Sequence, residues 1–225
     1  MPTLHTLRVF LGPDGSGGNP LGVLLDGAAV PAAARQAVAA DLGFSETVVV
    51  DDAASGALQI FTPTVELPLA GHPLVGTAWL LAHTGRAVAT LRPPAGDVPT
   101  WTAEGLTWIR ARLVWAALYD VAQLETPADV DAFRVPGGDA MVAVWAWEGE
   151  GRVRARVFPN GIGIEEDEAT GAFALQLGAL TGRDIVIRQG GGSELHARPG
   201  GDGTVAVGGR VTLVGEREYA LPVAA

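Results

Sequence analysis

Apolar and polar positions alternate with period two in short runs along most of this chain, and such alternation predicts half-buried strands. The runs cover residues 4–11, 22–26, 47–51, 58–61, 107–115, 141–147, 152–158, 184–188, 204–207 and 210–215. Glycines spread along the chain punctuate them as turns. Three stretches break the alternation with alanine-rich or nearly continuous apolar sequence, and read as buried helices. Residues 31–42 open on Pro31, suited to a first helical turn, and stop at Gly43. Residues 73–83 follow His72 and stop at Gly85, and residues 170–180 stop at Gly182. A shorter helix over 127–133 has Thr126 as its cap. The mixture is strand-dominated with a few buried helices, an α+β pattern.

Two of the helices open alike. Ala70-Gly71-His72-Pro73-Leu74 leads into one and Ala169-Thr170-Gly171-Ala172-Phe173 into the other, and both end in Thr-Gly. Upstream, Arg8-Val9-Phe10 and Arg156-Val157-Phe158 each precede a Gly-containing turn. This internal match predicts two pseudo-symmetric lobes, each a curved sheet wrapped around a central helix. The Pro- and Gly-rich stretch 94–103 is the linker candidate. It divides an N-terminal lobe, residues 1–100, from a C-terminal lobe, residues 101–225, with the last strand free to return to the first lobe.

Composition narrows the chemistry. Of 225 residues 48% are apolar and only 18% charged, enough apolar material to bury a core. Fifteen Arg and no Lys against 25 acidic residues leave a formal charge of −10. An acidic chain repels phosphate backbones, so neither nucleic acid nor an anionic membrane is expected as a partner. Without Lys there is no Schiff base and no phosphate-loop lysine; without Cys there is no disulfide, thiolate nucleophile or thiolate metal site. No apolar run approaches the ~18 residues of a membrane span, and the first residues lack a signal-peptide pattern. The expectation is a cytoplasmic protein, and with no pair of His at metal spacing no metal site is expected.

The polar residues worth singling out sit at element boundaries. Glu46 lies where the first helix gives way to the apolar run Thr47-Val48-Val49-Val50, and burial there would raise its pKa toward neutrality, as an acid/base requires. Ser45 has none of the Gly-x-Ser-x-Gly context of a hydrolase nucleophile. His72 opens the second helix and could donate to a substrate. Asp167 belongs to the acidic run Glu165–Glu168 before the third helix. Such acids stabilise a helix start by ~0.3–1 kcal/mol on structural grounds alone, unless Asp167 turns toward a substrate amine or hydroxyl. Two helix starts offer unpaired N–H groups suited to a carboxylate. The glycine strings at 15–18 and 190–192 lack the dinucleotide-binding context and read as turns. Arg152, Arg154 and Arg156 share one face of a strand, read as solvated, with Arg156 held in reserve. The Trp residues read as core and lobe-packing groups.

Taken together, several strings resemble the PhzF-type phenazine biosynthesis isomerases, which have the diaminopimelate epimerase-like fold. They are Gly18-Asn19-Pro20-Leu21-Gly22-Val23, Phe44-Ser45-Glu46-Thr47, Phe61-Thr62-Pro63 with Glu66-Leu67-Pro68-Leu69-Ala70-Gly71-His72-Pro73, and Glu166-Asp167-Glu168-Ala169-Thr170-Gly171. Arg188-Gln189-Gly190 and Val207-Gly208-Gly209-Arg210-Val211 complete the series in the family's order. The resemblance implies two lobes with the active site in the crevice between them, a homodimer, and cofactor-free chemistry on a small-molecule carboxylate. It implies Glu46 as the acid/base that moves a proton within trans-2,3-dihydro-3-hydroxyanthranilate or a similar cyclic or amino-acid-like carboxylate. It further implies His72, Asp167, Gly71, Gly171, Thr170 and Ala172 as substrate-binding positions. Related racemases use a Cys pair that this chain lacks. Two positions depart from the family: Glu168 stands where Pro is usual, and Ala172 where Ser is usual. The alternative reading is a non-catalytic small-molecule binding protein on the same fold.

Overall fold

The computed structural model describes residues 1–222. Two compact units divide the chain: Met1–Val9, Pro20–Ile109 and the residues from Val211 onward form one, and Phe10–Asn19 with Arg110–Arg210 the other.

In the first unit lie most of β1 (Thr3–Leu11) and β2 (Gly17–Leu24), then α1 (Arg35–Leu42), β3 (Thr47–Asp52), β4 (Ala57–Phe61), β5 (Glu66–Leu67) and α2 (Gly71–His83). β6 (Thr90–Leu91), β7 (Val98–Ala103) and the start of β8 (Leu106–Arg112) follow. β2 pairs parallel with β3, placing Gly22 opposite Thr47, and β3, β4 and β5 continue antiparallel. After β6 the chain returns to the start of β4: Arg92 N–H donates to Gly56 O at 2.7 Å, and Ala57 and Arg92 form a bridge. The strands thereby curl back on themselves around α2.

α2 is apolar on all sides because it is surrounded; Leu74, Val75, Leu80 and Leu81 are completely buried. Each such side chain contributes about 1.5–3 kcal/mol relative to exposure. Gly76 sets the approach distance, since a Cβ there would lie 2.5 Å from Leu21 and 2.8 Å from Val9. The helix expected over 31–42 is shorter than its alanine content predicts. Residues 27–29 and 32–34 are separate 3-10 turns, and only Arg35–Leu42 is α-helical. Val30 ends the first turn, and Pro31, in an extended conformation with ψ 138°, precedes the second. Gly43 closes α1 at φ +67°, a left-handed cap that suits glycine.

In the second unit β9 (Asp120–Gln123), α3 (Pro127–Asp131), β10 (Met141–Gly149), β11 (Arg152–Pro159), α4 (Gly171–Thr181), β12 (Ile185–Gln189) and β13 (Ser193–Pro199) follow in order. They are joined by the first part of β14 (Thr204–Glu218). The strand order is β14-β13-β12-β11-β10-β9, with β9 at the edge, parallel to β10. α4 packs on β13 and β14 through Gly178, where a Cβ would meet Val205 at 2.9 Å and Ala197 at 3.1 Å. The opposite face of β10 and β11 is covered by α3, where Val130, Val144, Ala146 and Phe158 form a small core.

α3 overturns the solvated reading for Arg154 and Arg156, while Arg152 is exposed as expected. Arg154, only 7% exposed, donates to Asp131 at 2.7 Å. Arg156 donates to the carbonyls of Val130, Asp131 and Phe133 at the end of α3. The 94–103 stretch also carries structure: Val98–Ala103 is β7, and the chain leaves the first unit only after Ile109. The two runs at 204–207 and 210–215 are one strand, β14, whose central glycines do not interrupt it.

Candidate functional site

Glu46 sits between two fixed points. The left-handed turn at Gly43 ends α1, and the three valines of β3, which begin two residues after Glu46, are completely buried. Phe44 packs on Gly22 of β2, where a Cβ would come within 2.9 Å of its ring. The carboxylate between them is 12% exposed, and its Oε2 is buried without a hydrogen-bond partner. Burial pushes the Glu46 carboxyl up from 4.5 to about 7, opposed by a hydrogen bond from the Ser45 hydroxyl. That bond commits the Ser45 hydroxyl as a donor to Glu46.

His72 Nε2 lies 3.5 Å from Glu46 Oε2, and its side chain is 3% exposed. It is held in the first turn of α2, whose cap residue Ala70 is extended and supplies no side-chain acceptor. The first intrahelical bond runs from Leu74 N–H to Ala70 O at 3.3 Å, and Pro73 has no N–H to donate. The helix start therefore presents its positive end beside Gly71 and His72. Such an end favours a carboxylate by ~0.3–1 kcal/mol, whereas a rise from 4.5 to about 7 corresponds to about 3 kcal/mol against it. Desolvation wins, and the carboxyl is poised to gain and lose a proton near neutral pH.

The start of α4 in the second unit is a different constellation. Asp167 accepts from Asn19 Nδ2 at 2.7 Å and from the Thr170 hydroxyl at 2.6 Å, one bond to each carboxylate oxygen. Gln189 donates to Asp167 O and to Thr170 Oγ1, both at 2.8 Å, and accepts from Thr170 N–H. Gly171 is buried and Ala172 half-buried in the first turn that follows. The neighbouring acids point elsewhere. Glu166 forms a two-point pair with Arg156, at 2.8 and 2.7 Å. Glu168 accepts from Gly191 N–H and from Ser193 Oγ at 2.6 Å. Three of the four acids in the run, Glu166, Asp167 and Glu168, are thus each engaged by a different set of partners.

Glu46, His72 and Gly71 come together in the first unit; Asp167, Thr170, Gly171 and Ala172 come together in the second. Sequence reasoning did not single out Asn19 and Gln189, which hold the second group. The available signal was strand parity: Gln189 falls in step with buried Ile185 and Ile187, and Asn19 with buried Leu21 and Val23. Asn19 is 4% exposed and Gln189 fully buried, and a buried amide must find partners. Among the described residues no cluster of three or more His, Asp or Glu has the arrangement of a metal site, and no helix is long and apolar enough to cross a membrane.

Strand-rich units, each with an apolar helix packed on its sheet, define an α+β fold. The family model described as "Phenazine biosynthesis-like protein" matches residues 13–117, which include Glu46 and His72. A trans-2,3-dihydro-3-hydroxyanthranilate isomerase from Pseudomonas chlororaphis is 30% identical over 200 residues, covering 70% of this chain and 72% of its own length. The enzyme of the same name from Pseudomonas fluorescens is 29% identical with the same coverage. In fold, a phenazine biosynthesis PhzC/PhzF protein from Clostridium difficile (strain 630) superposes with a TM-score of 0.79 at 16% identity, covering 98% of this chain and 100% of that one. The chain belongs to the PhzF family, and it is an isomerase.

Proposed function

We propose that this isomerase shifts a proton between two positions of a small cyclic or amino-acid-like carboxylate, with Glu46 as the single acid/base. The observation that carries the reading is the Glu46 carboxyl: buried, with one oxygen lacking a hydrogen-bond partner, and poised at about 7. In its ionised form Glu46 takes a proton from a carbon made acidic by an adjacent unsaturated or carbonyl group. It then returns the proton at another carbon of the conjugated system, leaving the molecular formula unchanged. His72, 3.5 Å from Glu46, orients the carboxylate and donates to a substrate oxygen. The Gly71 end of α2 favours the substrate's negative charge.

Asp167 holds Thr170 and thereby sets the start of α4, where the Gly171 and Ala172 N–H groups are suited to receive an anionic oxygen. The names of the curated relatives support trans-2,3-dihydro-3-hydroxyanthranilate as the first compound to try. The family resemblance extends the reading to a homodimer, for which light scattering is expected to give twice the 23.1 kDa chain mass.

Solvent exchange tests the proposal. The protein is incubated in deuterated water with that compound and a panel of cyclic amino and hydroxy acids, and mass spectrometry follows label and product. Label or product with the wild type, and its loss of at least about 100-fold in Glu46→Gln, is the expected result. A compound that binds but neither takes up label nor changes would support the binding-protein alternative.

A further inference from the structure

The far end of α4 borders a cavity unconnected with the groups at its start. Its volume is about 530 Å³, within the range of small-molecule sites, and it is lined by Val121, Gln123, Trp145, Trp147, Leu180, Thr181 and Arg183. Strand parity explains the lining. Trp145 and Trp147 are two apart on β10, so they share the face opposite Val144 and Ala146, which pack under α3. β9 runs parallel beside them, with Val121 opposite Ala143 and Gln123 opposite Trp145. β9 is the edge strand, and among the described residues no strand pairs beyond it.

Three features give the cavity a chemistry. Its apolar wall is left open: Leu180 is 63% exposed, and the two indoles meet edge to face at 5.1 Å. Its charge is inverted relative to the chain. In a protein of net charge −10 the lining contains one arginine and no acid. The Arg183 guanidinium lies 4.1 Å over the Trp147 ring, and the adjacent Asp184 is taken by Arg198. Its donor is unmatched: Trp145 is 4% exposed, and its indole N–H has no hydrogen-bond partner.

One effect opposes an anion here, the negative end of the α4 dipole. Two of the last carbonyls, Leu177 and Gly178, accept from the Thr181 hydroxyl, and Arg183 follows directly after the helix cap. Both reduce that repulsion.

We propose that this cavity binds a small planar aromatic carboxylate, its ring against Trp147 and Leu180 and its carboxylate between Arg183 and the Trp145 indole N–H. That N–H is buried, so binding requires the groups over it to give way. The site belongs to the second unit alone and does not depend on the acid/base role of Glu46.

The test is a titration of the full-length ¹⁵N-labelled protein with 2-naphthoate, reading the indole N–H peaks of its six tryptophans. Trp145→Phe assigns the Trp145 peak. The expected result is a saturable downfield shift of that peak. The affinity should be about tenfold weaker in Arg183→Ala and for uncharged 2-naphthamide. Leu180→Glu, a change at a largely exposed position, is expected to abolish the shift while leaving the rest of the spectrum intact. No saturable shift at Trp145 overturns the proposal, as does equal affinity in Arg183→Ala. Concentration-dependent broadening of the peak that excludes the probe also overturns it, assigning the cavity to a second copy of the chain.

Discussion

At the scale of single residues the account rests on a carboxyl that folding makes harder to ionise. Glu46 titrates at about 7 when buried and at its ordinary 4.5 when exposed in the unfolded chain. Between those values the folded state holds the proton more tightly, so stability declines as pH rises through the window. The loss reaches about 3 kcal/mol above pH 7 and vanishes below pH 4.5. Glu46→Gln carries no such penalty. Its stability advantage over wild type, read from urea unfolding, is expected to be small at pH 5 and about 3 kcal/mol at pH 8. His72→Asn keeps a hydrogen-bonding group but withdraws it from the carboxylate. A drop in kcat of about 10²-fold with a folded spectrum is expected. Glu46 was legible in the sequence because a lone acid stood before an unbroken run of valines. His72 was legible because it opened an apolar helix. Asp167 was legible as a position but not in its contacts, since the bonds from Asn19 and Thr170 come from segments 148 and three residues away.

At the scale of elements, close approach rather than propensity decides where the helices lie. Gly76 and Gly178 are poor helix formers, and each stands where its helix meets a sheet. Gly76→Ala is expected to cost about 1–3 kcal/mol in thermal or urea unfolding, because Leu21 and Val9 must both move. Gly149→Ala, where a Cβ meets nothing within 4 Å, is expected to stay within about 0.5 kcal/mol. Asn19→Ala removes the donor to Asp167 Oδ1 and to Ala169 O. A loss of about 1–3 kcal/mol is expected, with faster amide exchange in the first turn of α4. The apolar helices and long strands were readable from period alone. The strands that escaped notice are mostly short, as in Glu66–Leu67, Thr90–Leu91 and Asp120–Gln123, and owe their conformation to neighbours. β13 escaped for another reason: one of its faces carries Glu194, His196 and Arg198, which look solvated until Arg152 and Arg210 are seen to pair with Glu194.

At the scale of the whole molecule, the α+β class and the two helix-centred units followed from the repeated helix openings. The points where the chain passes from one unit to the other did not. They fall within β1, β2, β8 and β14, so a strand continues across each crossing, and the glycines beside two of them, Gly17-Gly18 before Pro20 and Gly208-Gly209 before Val211, do not interrupt it. A linker rich in Pro and Gly was the natural expectation, and that stretch instead supplies β7. The family's order of motifs survives this, because each string is local: some mark a turn or helix start, and those at 18–23 and 207–211 lie within β2 and β14.

The measurement closest to the central claim is the titration of Glu46 itself. Carbon-13 NMR of protein labelled at the glutamate side-chain carboxyls, with Glu46→Gln to identify the signal, gives its pKa in the intact chain. The account predicts a midpoint near 7. A midpoint near the ordinary 4.5 would mean a solvated carboxylate with no means of holding a proton at neutral pH, and the single-glutamate proton transfer would be contradicted.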